Sequence, residues 1–413
     1  MRLIQTTTLI ALTLVLLGPG TATAENQGFI YGTVITESGT EYEGFLRWGK
    51  QEAFWDDIFH SMKTELPWAE VALDYLEDHA REDRRSRHGE VKVFKWRIAW
   101  EDDGYSSRVF SARFGDIEKI RVTDDDAAEV TMRSGEVYDV AGYSDDVGGR
   151  IHVLDASLGE IDLKWDRIET ITFSAAPSGL KPPAKRLYGT VETEIGSFVG
   201  YIMWDKEECM STDLLDGESE DGDVSIEMGR ISSIEPRGRS SSIVELDDGR
   251  RLRLRGTNDV NDDNRGIMVE DERFGKITVA WDSFDRLEFS TAPGSGRGYD
   301  EYDNHSFLHG TVVDIDGEEY TGQLVYDIDE TESWEALNGR DRDVEFAIPF
   351  VNIVSIEPYG QDSAIVVLKS GEEVELEDSQ DVSDAHDGIL VLDAEGEVVA
   401  WVTWDDLEIV RFD

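Results

Sequence analysis

The chain has few of the residues that build covalent frameworks or bind anions. One cysteine among 413 residues excludes an internal disulfide and a thiolate metal site. Basic residues are scarce, since 39 Lys and Arg stand against 90 Asp and Glu and give a net charge of −51. Such a surface repels phosphate backbones and anionic lipids, so nucleic acid and bare membrane surfaces are poor partners.

Long apolar runs are absent beyond the amino end, so no membrane-spanning helix is expected in the rest of the chain. The amino end begins with Met1-Arg2, continues with nine apolar or small residues at 9–17, is broken at 18–20 and offers Ala22-Thr23-Ala24. This order is typical of a secretory signal peptide that is cleaved after residue 24. The mature protein is therefore expected in the periplasm or outside the cell, with no membrane span.

The remaining chain can form packed cores, because 39% of its residues are hydrophobic and 10% are aromatic. Its dominant pattern is an internal sequence repeat with three copies. The three copies open with Tyr31-Gly32-Thr33-Val34, Tyr188-Gly189-Thr190-Val191 and His309-Gly310-Thr311-Val312. Each copy then has a second glycine and an aromatic residue, and these are Gly44 and Trp48, Gly200 and Trp204, and Gly322 and Tyr326. The three close on Trp165 to Phe173, Trp281 to Phe289 and Trp404 to Phe412. An internal repeat is the expected source of such matched landmarks.

These landmarks divide the mature chain into three repeats, at residues 25–176, 184–291 and 305–413. Gly32 lies 85 residues before Ile117, whereas the corresponding spacings in the other repeats are 42 and 43. The first repeat therefore carries about 43 extra residues. We place this insertion at about residues 52–100 and expect a helix followed by a strand. Pro-rich residues 175–183 and Gly-rich residues 291–298 are expected to link the repeats.

Short period-two strands and glycine turns predict an all-β fold. Each repeat also contains the pattern apolar-x-x-apolar-x-x-apolar twice, for example at Phe114, Ile117 and Ile120, which suits a 3₁₀ turn leading into a strand. Strands joined by an early glycine turn and a late 3₁₀ turn resemble small SH3-like or Sm-like β-barrels. The resemblance implies two meander or barrel-like halves in each repeat, and it implies no particular function. One larger barrel or a sandwich per repeat is the alternative. The recurring aromatic residues are expected in the core.

The sequence predicts no cofactor, and calcium is the one alternative that its residues offer. Alternating Asp and Asn side chains before a glycine offer the oxygen ligands that Ca²⁺ prefers, although the EF-hand spacing is missing. The candidate metal ligands are Asp259, Asn261, Asp263, Asp381, Asp384 and Asp387. A polar turn with capping Asp and Asn side chains is the alternative interpretation, and we favour it.

The insertion holds the chain's basic cluster beside an aromatic strand. Its candidate ligand-binding residues are Arg84, Arg85, Arg87 and Trp96. They would suit an anionic group or a glycan, or the arginines would pair with the acidic surface.

Catalysis is not expected, because no Gly-x-Ser-x-Gly, His-Glu-x-x-His, Walker or Cys-x-x-Cys motif is present. The sequence predicts a non-catalytic exported scaffold or binding protein of the cell envelope, with an unidentified protein or glycan partner. A calcium-dependent or carbohydrate-binding module is the alternative, and an enzyme without a recognisable motif is the third possibility.

Overall fold

The computed structural model describes residues 28–65, 67–73, 75, 108–142, 144, 146–302 and 305–413. The protein is all-β, as predicted, and its main sheets are antiparallel with eight and twenty strands. Residues 67–73 and 75 are helical and form α1. Among the described residues, no helix has the length and apolar character needed to cross a bilayer.

Each of the three repeats contributes ten strands. The first contains β1 (Tyr31–Thr36), β2 (Glu41–Trp48), β3 (Ile58–Met62), β4 (Val109–Arg113), β5 (Ile117–Asp124), β6 (Ala127–Met132), β7 (Val137–Ala141), β8 (Arg150–Asp155), β9 (Gly159–Lys164) and β10 (Ile168–Phe173). The second contains β11 (Tyr188–Thr193), β12 (Gly196–Met203), β13 (Leu214–Ser219), β14 (Gly222–Glu227), β15 (Ile231–Pro236), β16 (Ser241–Leu246), β17 (Arg251–Arg255), β18 (Ile267–Asp271), β19 (Gly275–Val279) and β20 (Phe284–Phe289). The third contains β21 (His309–Asp314), β22 (Glu319–Val325), β23 (Ala336–Asp341), β24 (Val344–Pro349), β25 (Ile353–Pro358), β26 (Ser363–Leu368), β27 (Glu373–Glu377), β28 (Ile389–Leu392), β29 (Val398–Val402) and β30 (Leu407–Phe412).

The same pairing order occurs in all three repeats. In the first repeat the sheet order is β7-β6-β5-β10-β1-β2-β8-β9, and β3 pairs with β4. The second and third repeats contain the corresponding pairings, and there the third strand also contacts the seventh, as β13 with β17 and β23 with β27. The matched landmarks of the sequence therefore occupy matched positions in the sheets.

The two halves of a repeat exchange strands and do not form separate barrels. The first strand of one half pairs with the last strand of the other, as β1 does with β10, and β2 crosses over to β8. The two sheets are open. The small closed barrels implied by the resemblance are thus not formed, because strands that would close each half bond to the other half instead.

The two recurring glycines are explained by close backbone approach. A Cβ atom at Gly32, Gly189 or Gly310 would lie closer than 3.0 Å to a carbonyl oxygen of the repeat's last strand. A Cβ atom at Gly44 or its counterparts would meet a carbonyl oxygen of the eighth strand in the same way. Only glycine permits these strands to approach so closely.

The predicted 3₁₀ turns and core aromatics are present. A 3₁₀ turn precedes the fifth and the tenth strand of every repeat, at Phe114–Asp116, Trp165–Arg167, Met228–Arg230, Trp281–Ser283, Phe350–Asn352 and Trp404–Asp406. Further 3₁₀ turns lie at Asn258–Val260, Tyr299–Tyr302 and Gln380–Val382. The recurring aromatic residues are buried, namely Trp48, Trp165, Trp204, Trp281, Tyr326 and Trp404. Their recurrence therefore reflects a shared packing role.

The extra residues of the first repeat connect β3 to β4, so the insertion runs from about residue 63 to 108 and begins later than predicted. The helix in this connection, α1, packs on the third repeat, where buried Ala72 meets Val325, Leu390 and Leu392. The insertion therefore joins the first repeat to the third.

The three repeats are held together by different contacts. The second and third share a continuous sheet through β19 and β24. The first and third meet at buried ion pairs of Lys63 and Arg108. The first and second meet where the guanidinium of Arg47 donates to both carboxylate oxygens of Asp213, at 2.9 and 3.0 Å. The Gly-rich link is also packed, since the backbone N–H of Gly28 donates to the Ser295 hydroxyl.

Candidate functional site

The basic cluster of the insertion lies outside the described residues. Arg84, Arg85, Arg87 and Trp96 are all in this stretch. Their assignment to ligand binding stays a prediction.

Two of the predicted calcium ligands, Asp259 and Asp381, bond to the protein's own backbone. The Asp259 carboxylate accepts from the N–H of Asp216 at 2.6 Å, and Asp381 accepts from the N–H of Asn338 at 2.7 Å. Their carbonyl oxygens accept the Trp204 indole N–H and the Tyr326 hydroxyl. The Asp-Val pair of each repeat thus ties the end of its second strand to the third strand.

The other four predicted ligands are spread over the loop surfaces. Asp263 and Asp384 are exposed, and Asn261 accepts from the Asp263 N–H at 2.8 Å, which is the geometry of a polar turn. Asp387 forms an ion pair with Arg108 of the first repeat. The structure therefore does not bring the predicted ligands together around one point. A different carboxylate group, made of Asp205, Glu208 and Asp259, does converge within the described part of the chain.

A buried or half-buried carboxylate also organises the loop after the second strand of every repeat. It comes nine residues after the recurring aromatic residue and accepts two backbone N–H groups of its own loop. These carboxylates belong to Asp57, Asp213 and Glu335. The equal spacing was available in the sequence, but acidic residues are so frequent that it did not stand out.

A cleft of about 1310 Å³ lies between the first two repeats. Its walls come from β4, β11, β12 and β18, and from the segment at 290–302 that joins the second repeat to the third. Aromatic rings of Tyr188 and Tyr201, with centroids 5.3 Å apart, form part of one wall. The cleft is larger than most small-molecule pockets, which hold about 300–1,000 Å³.

One wall is fixed by a buried ion pair between the repeats. Arg186 binds both carboxylate oxygens of Asp56, at 2.6 and 2.7 Å, and its guanidinium lies 4.1 Å from the Phe54 ring centroid and 3.9 Å from that of Tyr201. Burial alone would lower the pKa of Arg186, but the charge of Asp56 outweighs it and raises that pKa. This pair neutralises both charges within the protein and fixes the position of Arg186.

Arg113, Glu270 and Tyr302 line the cleft and lie close enough to interact electrostatically. Within the described chain, the side chains of Arg113 and Glu270 form no hydrogen bond or ion pair, and the buried hydroxyl of Tyr302 has no partner. Burial, with the nearby charge of Asp56, raises the pKa of Glu270 to about 7. Burial would lower the pKa of Arg113, but the charges of Glu270 and Asp116 hold it above its ordinary value. A guanidinium, a carboxyl and a phenol are therefore available to a ligand.

Sequence reasoning missed this cleft. Arg113 and Glu270 are ordinary charged positions on alternating strands, and only the docking of two repeats brings them together. No local motif marks either residue.

Comparisons with known proteins give no assignment. No protein-family model and no curated protein matches the chain. The solved structure of a streptogramin B lyase is similar at 11% sequence identity and a TM-score of 0.14, over 72% of this chain and 94% of that chain. A similarity at this level carries no argument about fold or activity.

Proposed function

We propose that the protein is an exported, non-catalytic binding protein whose ligand occupies the cleft between the first two repeats. The proposal rests on Arg113, a half-buried guanidinium in the wall of a large cleft that forms no hydrogen bond or ion pair within the described residues. A guanidinium of this kind is stabilised when a carboxylate binds it in bidentate geometry. Export to the cell envelope follows from the predicted signal peptide alone.

The charges of the cleft define a ligand class. Arg113 suits a carboxylate, whereas Glu270 and the Tyr302 hydroxyl suit an amino group or another hydrogen-bond donor. Aromatic side chains along the wall suit an apolar portion. The net charge of −51 disfavours polyanions. We therefore propose a zwitterionic ligand of the amino-acid or short-peptide class.

Calorimetric titration with amino acids, dipeptides and neutral disaccharides tests this proposal. We expect a member of the peptide class to bind, and we expect Arg113→Gln to weaken that binding at least about tenfold through loss of a charged hydrogen-bonded pair. Arg239→Gln is the control, since Arg239 has a 72% exposed side chain. Equal affinity in the wild type and Arg113→Gln, or no binding from the panel, would contradict the proposal. Disaccharide binding that survives Arg113→Gln would favour the carbohydrate alternative.

Catalysis is the second candidate, and Glu270 is the observation that favours it. A carboxyl group with a pKa of about 7 is suited to general acid–base chemistry near neutral pH. Turnover of a bound peptide or ester that Glu270→Gln abolishes, with ligand affinity retained, would establish this role. Binding without turnover in the wild type supports the non-catalytic proposal.

A further inference from the structure

A second feature of the molecule lies away from the cleft, in the second repeat. Three carboxyl groups converge there: Asp205 follows β12, Glu208 lies three residues later, and Asp259 belongs to the Asp-Val pair. One ligand atom from each lies within 4.8 Å of the other two. The residues are 0%, 8% and 6% exposed, respectively.

Glu208 is the residue that indicates a missing ligand. Its Oε2 atom is buried and has no hydrogen-bond partner within the described residues. A buried carboxylate oxygen without a partner loses its hydration and gains nothing in return. A cation or a proton must therefore compensate it.

The protein supplies only part of that compensation. Arg265 binds Asp205 through its guanidinium at 2.8 Å, and its backbone N–H donates to the other Asp205 oxygen at 2.5 Å. Asn258 also donates to Asp205. Asp259 accepts the N–H of Asp216. Within the described residues Glu208 forms no ion pair, and the exposed ammonium of Lys50, which pairs with Glu207, acts on it only through its charge.

The loop at this site has a counterpart in each of the other repeats. In the third repeat Asp327 corresponds to Asp205, and it is bound by Arg108 of the first repeat at 2.9 Å. In the first repeat the position is Gly49, which has no side chain. All three positions have left-handed backbone, with φ of 56° at Gly49, 53° at Asp205 and 49° at Asp327, so the loops are equivalent in shape. The counterparts of Glu208 are Glu52 and Glu330, and each of them also has a buried Oε2 without a hydrogen-bond partner. Within the described residues, three carboxylate ligand atoms converge only in the second repeat.

We propose that Asp205, Glu208 and Asp259 bind one Ca²⁺ ion. Ligand atoms within 4.8 Å of one another are close enough for one ion to contact all three after a small adjustment of the side chains, since Ca–O distances are about 2.3–2.6 Å. All three donors are carboxylate oxygens, which suit a hard cation. Mg²⁺ is less suited, because it retains several waters in a strict octahedron and this pocket is enclosed by buried residues. The site shares Asp259 with the ligand set predicted from the sequence and replaces the exposed members with buried ones.

The test uses the full mature chain after EDTA treatment, at about 0.5 M KCl to screen its diffuse charge. Ca²⁺ binding is measured by calorimetry, and Tb³⁺ luminescence is excited through tryptophan, since the Trp204 indole donates to the Asp259 carbonyl at 3.0 Å. We expect one ion to bind with a dissociation constant between about 10⁻⁵ and 10⁻³ M and to raise the melting temperature.

Matched variants locate the ion. Glu208→Gln keeps the side-chain shape, and we expect it to abolish binding and the melting-temperature shift. Glu330→Gln, the same change at the corresponding position of the third repeat, should leave both intact. Loss of binding in Glu330→Gln with retention in Glu208→Gln would overturn the assignment. A second result would also overturn the assignment: neither Ca²⁺ nor Tb³⁺ binds, and metal-free Glu208→Gln melts at a higher temperature than the metal-free wild type. That result would show that the three carboxyl groups share a proton and hold no cation. Circular dichroism of each variant confirms that it is folded.

Discussion

Replacing Lys63 by Met removes the positive charge at the contact between the first and third repeats. The Lys63 Nζ lies 2.7 Å from Asp329 and 3.3 Å from Glu335, and all three side chains are at most 7% exposed. Methionine keeps most of the side-chain stem, so packing against the neighbouring backbone is largely preserved. The perturbation is therefore mainly electrostatic.

The expected cost follows from the burial of the two carboxylates. Removing one partner from a buried ion pair leaves an uncompensated charge and costs about 3–5 kcal/mol. Glu335 keeps two backbone N–H donors, from Thr331 and Glu332, so the lower end of that range applies. Burial raises the pKa of Glu335 and Lys63 opposes that shift, so Glu335 should take up a proton more readily in the variant. The cost should therefore be smaller at pH 5 than at pH 8.

Urea unfolding at both pH values, followed by circular dichroism, measures this effect. Lys50→Met is the matched control, because the Lys50 Nζ lies 2.8 Å from Glu207 but its side chain is 78% exposed. Exposed pairs contribute about 0–1 kcal/mol, so the control should change little. Equal losses for Lys63→Met and Lys50→Met, or a larger loss at pH 5 than at pH 8, would refute the reasoning.

Three further predictions concern pH, a buried hydroxyl and a close strand contact. The pKa of Glu270 is raised to about 7 in the folded protein, so the folded state binds this proton more tightly than the unfolded state does. The melting temperature should therefore rise as pH falls from about 8 to 6.5. Glu270→Gln should reduce the dependence of the melting temperature on pH. A melting temperature that falls over this interval would contradict the assignment. Tyr326→Phe removes the donor to the Asp381 carbonyl at 2.7 Å and should cost about 1–3 kcal/mol in urea unfolding; an unchanged midpoint would show that this bond contributes little. Gly200→Ala places a Cβ atom against the carbonyl oxygen of Glu270 and should abolish the cooperative unfolding transition. Gly294→Ala is the control, because a Cβ atom there meets nothing within 4 Å and the transition should remain. A folded Gly200→Ala protein would show that the strands can separate without loss of the fold.

Much of the fold could be predicted from local patterns. The period-two alternation, the glycine turns and the apolar spacing of three were enough to place strands and 3₁₀ turns, because these depend on neighbouring residues in one chain segment. Recurrence identified Trp48 and its counterparts as core residues, since the same packing requirement applies in each repeat.

The pairing between the halves could not be predicted in this way. The same alternation of apolar residues is compatible with two arrangements: each half closes into its own barrel, or the two halves exchange strands in an open sheet. The choice between them depends on contacts between segments that are distant in the sequence. The same limit applied to Asp259, which looks like a surface ligand in sequence and is buried because Trp204 packs beside it.

The sequence by itself determined the all-β class, the order of the strands, the threefold recurrence and the acidic surface, because each is carried by short segments or by composition. The tertiary structure alone decided which charges are compensated. Arg108 reaches Asp327 only because the insertion of the first repeat packs on the third, whereas the corresponding Asp205 is bound by Arg265 of its own repeat. Arg113 and Glu270 share one cleft for the same reason. Such compensation depends on distances of a few ångströms between residues far apart in the chain, and the contacts between whole repeats set those distances.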